Sequence, residues 1–440
     1  MTIRLTDSLG TTGPLADVFS DRSLLAAMLQ FEVGLARAQA RLGIIPADAA
    51  EHIAAAEPDE FDSAAIALAA PSSGTMAIAF LEQLTAMVER RDAASAGYVH
   101  WGATSQDATD TAMVLLLARV RALLQADHKR MLAALRSLSN RYAASTMIGR
   151  TLLQPATPVT FGLKAAAWYA ACARGWARVE ASFDEALVLE FGGASGTLAA
   201  LGGRGLDVSA ELGRELGLPV PDAPWHAHRD RLAALVAACG IYTGTLGKIA
   251  TDIALLMQRE VGEVSEPGGG SSSMPQKRNP AGCAVVLAAA TRVPALVAAF
   301  LSGMVQQHER GLGGGQAELP TVAALLQATG AALAALAGTV EALQVDAARM
   351  AANLKATRGT VLAERAVLLL TRALGRDAAR ALVSGAALQS AQTGRTLSAA
   401  LGDDPRVAAA VTADELSSLD HPDAYLGVAE TLRRRLLADA

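Results

Sequence analysis

The sequence has few aromatic residues. Phe, Trp and Tyr together make up 4% of its 440 residues, whereas hydrophobic residues make up 52%. Alanine and leucine dominate that apolar content, and such segments favour tightly packed helices over sheet. A chain of this length can bury a large core and can hold two or three domains.

Cysteine is scarce as well. Cys172, Cys239 and Cys283 are odd in number, widely spaced and surrounded by apolar, helix-forming residues. We interpret them as reduced packing residues of a cytoplasmic protein, because a disulfide framework needs pairs. Residues 1–9 contain no basic segment followed by an apolar core, which argues against a signal peptide.

Basic residues form no extended block, and the formal net charge is −5. A nucleic acid is therefore not expected as a partner. No His, Cys and carboxylate residues have the spacing of metal ligands along the sequence. His308-Glu309-Arg310 lacks the second histidine, four residues on, that a zinc-binding helix requires.

One long segment, residues 319–340, carries no charge. It is long enough to span a bilayer. However, Ala, Gly, Thr and Gln327 fill much of it, and neither basic flanks nor an aromatic belt frame it. We predict a helix that is buried on most sides inside an oligomer, in a soluble protein that has no membrane partner.

The spacing of apolar residues predicts an almost entirely helical chain, in which only 187–191 alternates like a strand. Helices near 30 residues long exceed those of a typical globular domain and predict an elongated bundle. The predicted helices are 19–42, 47–56, 75–91, 109–144, 160–190, 229–259, 280–307 and 320–350. The predicted domains are an N-terminal helical domain (1–108), a central long-helix bundle (109–350) and a small C-terminal helical domain (351–440).

The most informative segment is the loop 270–280, Gly-Ser-Ser-Ser-Met-Pro-Gln-Lys-Arg-Asn-Pro. Gly268, Gly269 and Gly270 let its backbone adopt positive φ angles. The loop combines hydroxyl groups with Lys277, one of only five lysines in the chain. A hydroxyl can move a proton, and a cation can hold the negative charge that develops on a carboxylate. We therefore predict a catalytic loop.

A flexible linker and a phosphate-binding loop are the alternatives for this segment. The phosphate-binding pattern fails because Arg278, and not Ser or Thr, follows Lys277. A simple spacer would not need Met274, Pro275 or Asn279.

Three further segments concentrate polar residues at the ends of the predicted long helices, where catalytic loops on a rigid scaffold belong. In the first, 98–107, the consecutive Thr104, Ser105 and Gln106 lie at a helix start, whose unpaired N–H groups can bind a carboxylate. Simple N-capping is the alternative, and it suits Asp107 and Asp110 well. The second and third segments are 149–155 and 307–315.

With these segments the chain resembles the fumarase/aspartase superfamily, whose members share a Gly-Ser-Ser-x-Met-Pro-x-Lys-x-Asn-Pro loop that residues 270–280 match throughout. Residues 19–21, 100–107 and 308–314 carry the rest of the resemblance, which spans nearly the whole chain. Within the superfamily these segments look most like those of the cycloisomerases that lactonise a carboxylated cis,cis-muconate in protocatechuate catabolism.

The resemblance implies an all-α fold of three helical domains, whose long helices form the core of a homotetramer. It implies that each active site draws on three subunits. It also implies a small polycarboxylate substrate and an enzyme without a metal or another cofactor.

The resemblance implies that Ser271 moves the carbon-bound proton. Lys277 and Asn279 would hold the carboxylate whose α-carbon becomes carbanionic. Hydrogen bonds to the Ser271 hydroxyl are needed as well, because an unperturbed serine is a poor base.

The resemblance implies further substrate-binding residues. Thr104, Ser105 and Gln106 would bind a second carboxylate. Arg310 would bind a third, with a helix-end salt bridge as the alternative. The implied set is completed by His100, Thr151 and Gln154. For His100 the alternative is a satisfied hydrogen bond beside Trp101.

Two departures from the superfamily pattern narrow the reaction. Leu152 and Pro155 stand where lyases that expel an amine carry histidine. A leaving carboxylate has a conjugate-acid pKa near roughly 4 and needs no such acid, which favours lactone chemistry. After Arg310 the chain offers Glu318 and no cation, which argues against a nucleotide phosphate. A fumarate-releasing lyase and a non-catalytic structural relative remain the alternatives.

Overall fold

The computed structural model describes residues 3–438. Residues 1–2, which begin the segment examined for a signal peptide, and residues 439–440, which end the predicted C-terminal domain, lie outside it. The described residues form nineteen α-helices and four short strands. The helices are α1 (Gly13–Val18), α2 (Asp21–Arg41), α3 (Ala47–Ala54), α4 (Ser63–Ser73), α5 (Ala77–Arg91), α6 (Ala93–Ala96), α7 (Ser105–Arg141), α8 (Phe161–Ala186), α9 (Gly205–Leu216), α10 (Asp230–Met257), α11 (Ala281–Ser302), α12 (Gly314–Glu341), α13 (Ala347–Ala356), α14 (Ala363–Leu374), α15 (Arg376–Thr393), α16 (Leu397–Gly402), α17 (Pro405–Ala410), α18 (Ala413–Ser417) and α19 (Ala429–Ala438). The strands are β1 (Thr146–Thr151), β2 (Gln154–Thr160), β3 (Val264–Ser265) and β4 (Gln344–Val345).

The all-α class is confirmed, and all five predicted long helices are present, as α7, α8, α10, α11 and α12. The last of them was predicted to run to residue 350 but ends at Glu341. It stops there because β4 pairs antiparallel with β3. Asp346 then starts a new helix, since its carboxylate accepts the Arg349 N–H at 2.8 Å and so caps α13.

The predicted strand at 187–191 is wrong. Its N–H groups find separate partners instead of a ladder: Leu189 donates to the Pro219 carbonyl, and Glu190 donates to the Thr111 hydroxyl. The principal sheet is the antiparallel hairpin of β1 and β2. Sequence alternation did not reveal this hairpin, because prolines interrupt β2 and its two-residue turn contains leucines in place of Asn-Gly.

The chain divides into two compact units. Unit 1 comprises 1–128, 175–247 and 285–335, and unit 2 comprises 129–174, 248–284 and 336–440. The predicted three-domain division stays a prediction.

In unit 1, α2 buries one face that includes Met28, Phe31 and Leu35. This helix approaches α9 closely at Gly34. A Cβ atom there would lie 3.0 Å from Cδ2 of Leu216, so the absence of a side chain permits the close packing.

In unit 2, a separate apolar cluster forms among the short C-terminal helices. Its buried members include Leu362, Leu370, Val383 and Leu397, and Ile148 of β1 belongs to the same cluster. The hairpin is therefore anchored at its base by apolar packing, and its turn is left at the surface.

Three helices, α10, α11 and α12, are long and apolar enough to cross a membrane by length and composition alone. In α10 and α12, 61% and 56% of the most apolar 18-residue window is buried. In α11 the buried share is only 22%. This helix therefore presents an apolar surface that its own chain leaves largely uncovered.

Candidate active site

The start of α7 is fixed by Asp107, which is fully buried. Its Oδ2 accepts the N–H of Thr104 at 2.9 Å, so Asp107 caps the helix start from the third position of α7, as the acidic residue of a capping box does. The same carboxylate also accepts the N–H groups of Gly192 and Gly193 at 2.9 and 3.0 Å. It therefore holds a distant segment of unit 1 against the helix start.

Gln106, one turn before Asp110 on α7, has its side-chain amide nitrogen fully engaged. Nε2 donates to Oδ2 of Asp110 at 3.0 Å and to the backbone carbonyl of His226 at 2.9 Å. Both partners are acceptors, which fixes the orientation of the amide. Gln106 itself therefore offers a ligand only its Oε1 acceptor and its backbone N–H group at the helix start.

Asp110 was expected to cap the helix, and that expectation is wrong. Its two oxygens accept from the Arg229 guanidinium at 2.7 and 2.9 Å. Arg229 also donates to both oxygens of Glu318, with Nε–Oε2 at 2.9 Å, and its guanidinium lies 4.6 Å from the Trp225 ring centre. Burial opposes the charge of Arg229, but the two carboxylates outweigh it and raise the pKa of Arg229 above its usual value.

A second buried cluster consists of Asp107, Glu190 and His226, which the fold brings together from positions far apart in the sequence. His226 Nε2 lies 2.7 Å from Asp107 Oδ1 and 3.2 Å from Glu190 Oε1. The 2.7 Å separation is that of a short N–H···O hydrogen bond, and every oxygen of Asp107 already accepts a backbone N–H. The residues fit a hydrogen-bond network better than a set of metal ligands.

Glu190 has an unusual protonation state in this network. Burial, and then the charges of Asp110 and Asp107, raise the pKa of Glu190 to about 9. Its Oε2 accepts the Trp225 N–H at 2.7 Å. At neutral pH, Glu190 is therefore a neutral carboxylic acid.

A cleft of about 670 Å³ in unit 1 brings three of the predicted residues together, namely Ser105, Gln106 and Arg310. Asp110 and Glu318 line it as well. Its apolar lining includes Ala67, Ala70, Pro71, Met76, Ile78 and Met113. Polar groups and a broad apolar wall in one concave site are typical of a small-molecule pocket.

Arg310 lies on the segment between α11 and α12, and its interactions exclude the helix-end salt bridge. Its Nη2 donates to the carbonyls of Gly193 and Ala194 at 3.5 and 3.1 Å, and no described carboxylate pairs with it. Because both partners are neutral, the positive charge of Arg310 is available to an anion in the cleft.

His100 has the geometry of a satisfied hydrogen-bonding residue. Its Nδ1 lies 2.7 Å from Oε1 of the buried Glu32. Burial acts to lower the pKa of His100, but the charge and hydrogen bond of Glu32 outweigh it and raise that pKa. Neither His100 nor Thr104 is among the residues that line the cleft.

The remaining predicted residues lie in unit 2. The loop folds so that the Ser271 hydroxyl oxygen accepts the N–H groups of Ser273 and Met274 at 3.4 and 3.2 Å. At the base of the loop, Asn279 donates its backbone N–H to the Gly269 carbonyl at 2.6 Å and its side-chain N–H to the Gly270 carbonyl at 3.1 Å. Lys277 lies at the exposed tip.

Thr151 and Gln154 form the last residue pair of the hairpin and flank its turn. The turn residues Leu152 and Leu153 have φ angles of 50° and 63° and are 96% and 75% exposed. Arg150, just before the turn, donates to both carboxylate oxygens of the buried Glu263, with Nη2–Oε1 at 2.8 Å. The ion pair thus fixes the strand just before the turn of the hairpin, and the exposed apolar turn has a strained backbone.

Several residues that shape these sites have no local sequence signal. Arg229 is separated by 119 residues from Asp110 and by 89 residues from Glu318. His226 is likewise 119 residues from Asp107.

The chain thus has a helical scaffold, a Ser–Lys–Asn loop in unit 2 and, in unit 1, a cleft of about 670 Å³ lined by Arg310, and comparison with known proteins gives its class. Residues 8–295 match the family described as Lyase, and residues 359–436 match the adenylosuccinate lyase C-terminus. The chain therefore belongs to the lyase family.

Characterised relatives cover nearly the whole chain. The 3-carboxy-cis,cis-muconate cycloisomerase of Pseudomonas aeruginosa is 45% identical over 99% of this chain and 96% of its own length. The crystal structure of the 3-carboxy-cis,cis-muconate lactonizing enzyme from Pseudomonas putida is 41% identical, covers 99% of both chains and superposes with a TM-score of 0.93. The nitrosuccinate lyase of Streptomyces davaonensis is 40% identical over 95% of this chain and 91% of its own.

Proposed function

We propose that this protein is a cycloisomerase that converts 3-carboxy-cis,cis-muconate to a carboxymuconolactone. The observation that carries the proposal is the complete loop 270–280 in a chain that two lactonising relatives match over 99% of its length. The reaction belongs to the catabolism of protocatechuate.

The reaction is an intramolecular addition. One substrate carboxylate oxygen forms a bond to an alkene carbon, and the π electrons move to the neighbouring carbon, which is α to another carboxylate. Lys277 and Asn279 hold that carboxylate while it carries the charge of the carbanion. Ser271 then delivers its hydroxyl proton to the carbanionic carbon and regains a proton from solvent.

The hydrogen bonds to Ser271 support its role. The N–H groups of Ser273 and Met274 point at its oxygen, and such donors stabilise the alkoxide that remains when the proton leaves. Lys277 adds a positive charge from the same loop. Together these groups supply the activation that an isolated serine lacks.

The cleft in unit 1 supports a polycarboxylate substrate. Arg310 and the helix-start N–H groups of Ser105 and Gln106 offer positive potential to a carboxylate. Thr104 and His100 lie beside these groups in the sequence and are proposed to assist, as are Thr151 and Gln154 from unit 2. Because the substrate's own carboxylate is the attacking group, the reaction does not need an acidic residue at position 152.

A nitrosuccinate lyase is the second candidate, because a relative with that activity is 40% identical. Eliminating a nitro group expels a weakly basic anion, which also requires no acid at position 152. Leu152 therefore argues against amine elimination but does not distinguish between these two candidates.

We also propose that the chain acts as a homotetramer with active sites shared between subunits, in the cytoplasm, without a metal. The apolar surface of α11, of which only 22% of the most apolar window is buried, is the surface that self-association would cover. Sedimentation equilibrium is expected to give four times the 45.2 kDa chain mass. A monomer would refute the shared site.

The decisive test is the loss of the ultraviolet absorbance of the conjugated diene of 3-carboxy-cis,cis-muconate, measured with EDTA present. Rapid loss with the wild type and a decrease of at least about 10²-fold with Ser271→Ala are expected. Nitrosuccinate is assayed in parallel through the appearance of fumarate. Faster turnover of nitrosuccinate would replace the cycloisomerase proposal, and inactivity on both substrates by a folded oligomer would refute both.

A further inference from the structure

Glu266 joins the two ends of the catalytic loop. It directly follows β3 and is 4% exposed. Its Oε2 accepts the N–H of Gly282 at 2.9 Å, and its Oε1 accepts the N–H of Cys283 at 3.1 Å. These donors are the second and third residues of α11, so one carboxylate connects the residue before the loop to the helix after it.

The loop has a second connection inside this one. Asn279 donates to the carbonyls of Gly269 and Gly270. Gly269 has a φ angle of 65°, and a Cβ atom there would lie 1.8 Å from the Asn279 carbonyl oxygen. The two layers form a closed stem, and only the tip, 271–278, extends beyond it.

Electrostatics favours the Glu266 contact. The 22 residues of α11 give its N-terminus a partial positive charge, which stabilises a carboxylate at that position. Hydrogen bonds from N–H groups to an ionised carboxylate are also about twice as strong as neutral ones. The pKa of the Cys283 thiol is raised, first by burial and then by the hydrogen bond between this thiol and Glu266. The carboxylate of Glu266 therefore faces a neutral thiol.

We propose that Glu266 is a positioning residue for the catalytic loop. By clamping both ends of the stem, it keeps the tip folded so that the N–H groups of Ser273 and Met274 point at the Ser271 oxygen. Glu266 acts through the loop and needs no contact with substrate. The catalytic part of this inference rests on the proposed function, whereas the clamp itself does not.

Limited proteolysis tests the clamp independently of activity. Trypsin can cleave after Lys277 and Arg278, which lie at the exposed tip. Glu266→Gln removes the charge and places an amide N–H group opposite one of the two donors. Cleavage at these two sites is expected to become about tenfold faster, as for the loss of a charge-assisted hydrogen bond.

Asp346→Asn is the matched control, because Asp346 also caps a helix of unit 2 with its carboxylate but lies outside the loop. Its cleavage after Lys277 and Arg278 is expected to match the wild type. Equal acceleration in both variants would show a general loss of stability and would overturn the proposal.

Turnover of 3-carboxy-cis,cis-muconate tests the catalytic part. Glu266→Gln is expected to lower kcat about tenfold with little change in KM, since the substrate groups are untouched. Wild-type kcat together with wild-type cleavage would overturn the proposal. If the wild type itself fails to turn over the muconate while Glu266→Gln still accelerates cleavage, the proposed function fails and the clamp stands.

Glu266→Asp keeps the charge but is one methylene shorter, so it cannot reach both N–H groups equally well. If Glu266→Gln does not fold, Glu266→Asp is the variant that tests the clamp. Cleavage and kcat between those of the wild type and a tenfold effect support the clamp. Wild-type values for both would overturn it.

Discussion

The side-chain amide of Gln106 donates a 3.0 Å hydrogen bond to the carboxylate of Asp110, one helical turn further along α7. The other amide hydrogen is bound to the His226 carbonyl. The side chain of Gln106 therefore has only its Oε1 acceptor left for a ligand. A carboxylate that binds at this helix start must use backbone N–H groups and the Ser105 hydroxyl in its place.

The charge of the side chain that replaces Gln106 should determine how strongly the substitution destabilises the protein. Gln106→Met removes the Gln106 hydrogen bond to the His226 carbonyl and leaves Asp110 Oδ2 with Arg229 as its remaining donor, which is expected to lower the free energy of unfolding by about 1–3 kcal/mol. Gln106→Glu places a third negative group beside Asp110 and is expected to destabilise more at neutral pH. Chemical denaturation measures both. A Glu variant as stable as the Met variant would contradict the assigned orientation of the amide.

Arg229 should be among the most sensitive positions of unit 1. Arg229→Met leaves the Asp110 and Glu318 carboxylates buried and uncompensated, and is expected to lower the free energy of unfolding by about 3–5 kcal/mol. Denaturant unfolding is the measurement. The control is Arg22→Met, which breaks the exposed pair with Asp59 and should leave the unfolding midpoint unchanged. Equal losses in the two variants would contradict the buried network.

Glu190 should make stability depend on pH. Its pKa rises from a usual value of 4.5 to about 9 on folding, so between these values the native state holds a proton that the unfolded state has released. The free energy of unfolding should therefore fall as pH rises through this window, by at most about 1.4 kcal/mol per pH unit.

The isosteric Glu190→Gln variant mimics the protonated side chain. It should remove the contribution of Glu190 to that slope and gain relative to the wild type towards the alkaline end. Denaturation series at several pH values within the window measure the difference. A variant whose slope equals that of the wild type would show that Glu190 ionises normally.

Substitutions in the turn of the hairpin are expected to stabilise the protein. Leu152 and Leu153 occupy the left-handed region, which costs roughly 1–2 kcal/mol for each residue that has a Cβ atom. Replacing them with Asn and Gly, the preferred pair for this turn, is expected to raise the free energy of unfolding by about 1–2 kcal/mol. Leu206→Asn, at a leucine that is 77% exposed without a positive φ angle, is the control and should give no gain.

The parts of this protein that were predictable from sequence are those encoded locally. The long helices follow from uninterrupted apolar periodicity, and the loop 270–280 follows from a contiguous motif. The hairpin was missed because its turn contains leucines. The roles of Asp110, Arg229 and Glu190 were missed because each depends on a partner far away in the chain, which residue spacing does not reveal. Likewise, the orientation of Gln106 follows from two acceptors that only the fold brings together.

All three cysteines are buried, and Cys283 donates its backbone N–H to Glu266 at the stem of the loop 270–280. A thiol reagent in solution can therefore modify Cys283 only when the protein opens locally. The rate at which Cys283 is labelled reports how often that opening occurs. Cys172 and Cys239 lie within long helices, so their labelling rates report larger unfolding events. The unmodified chain thus carries its own reporters of motion, with no engineered label.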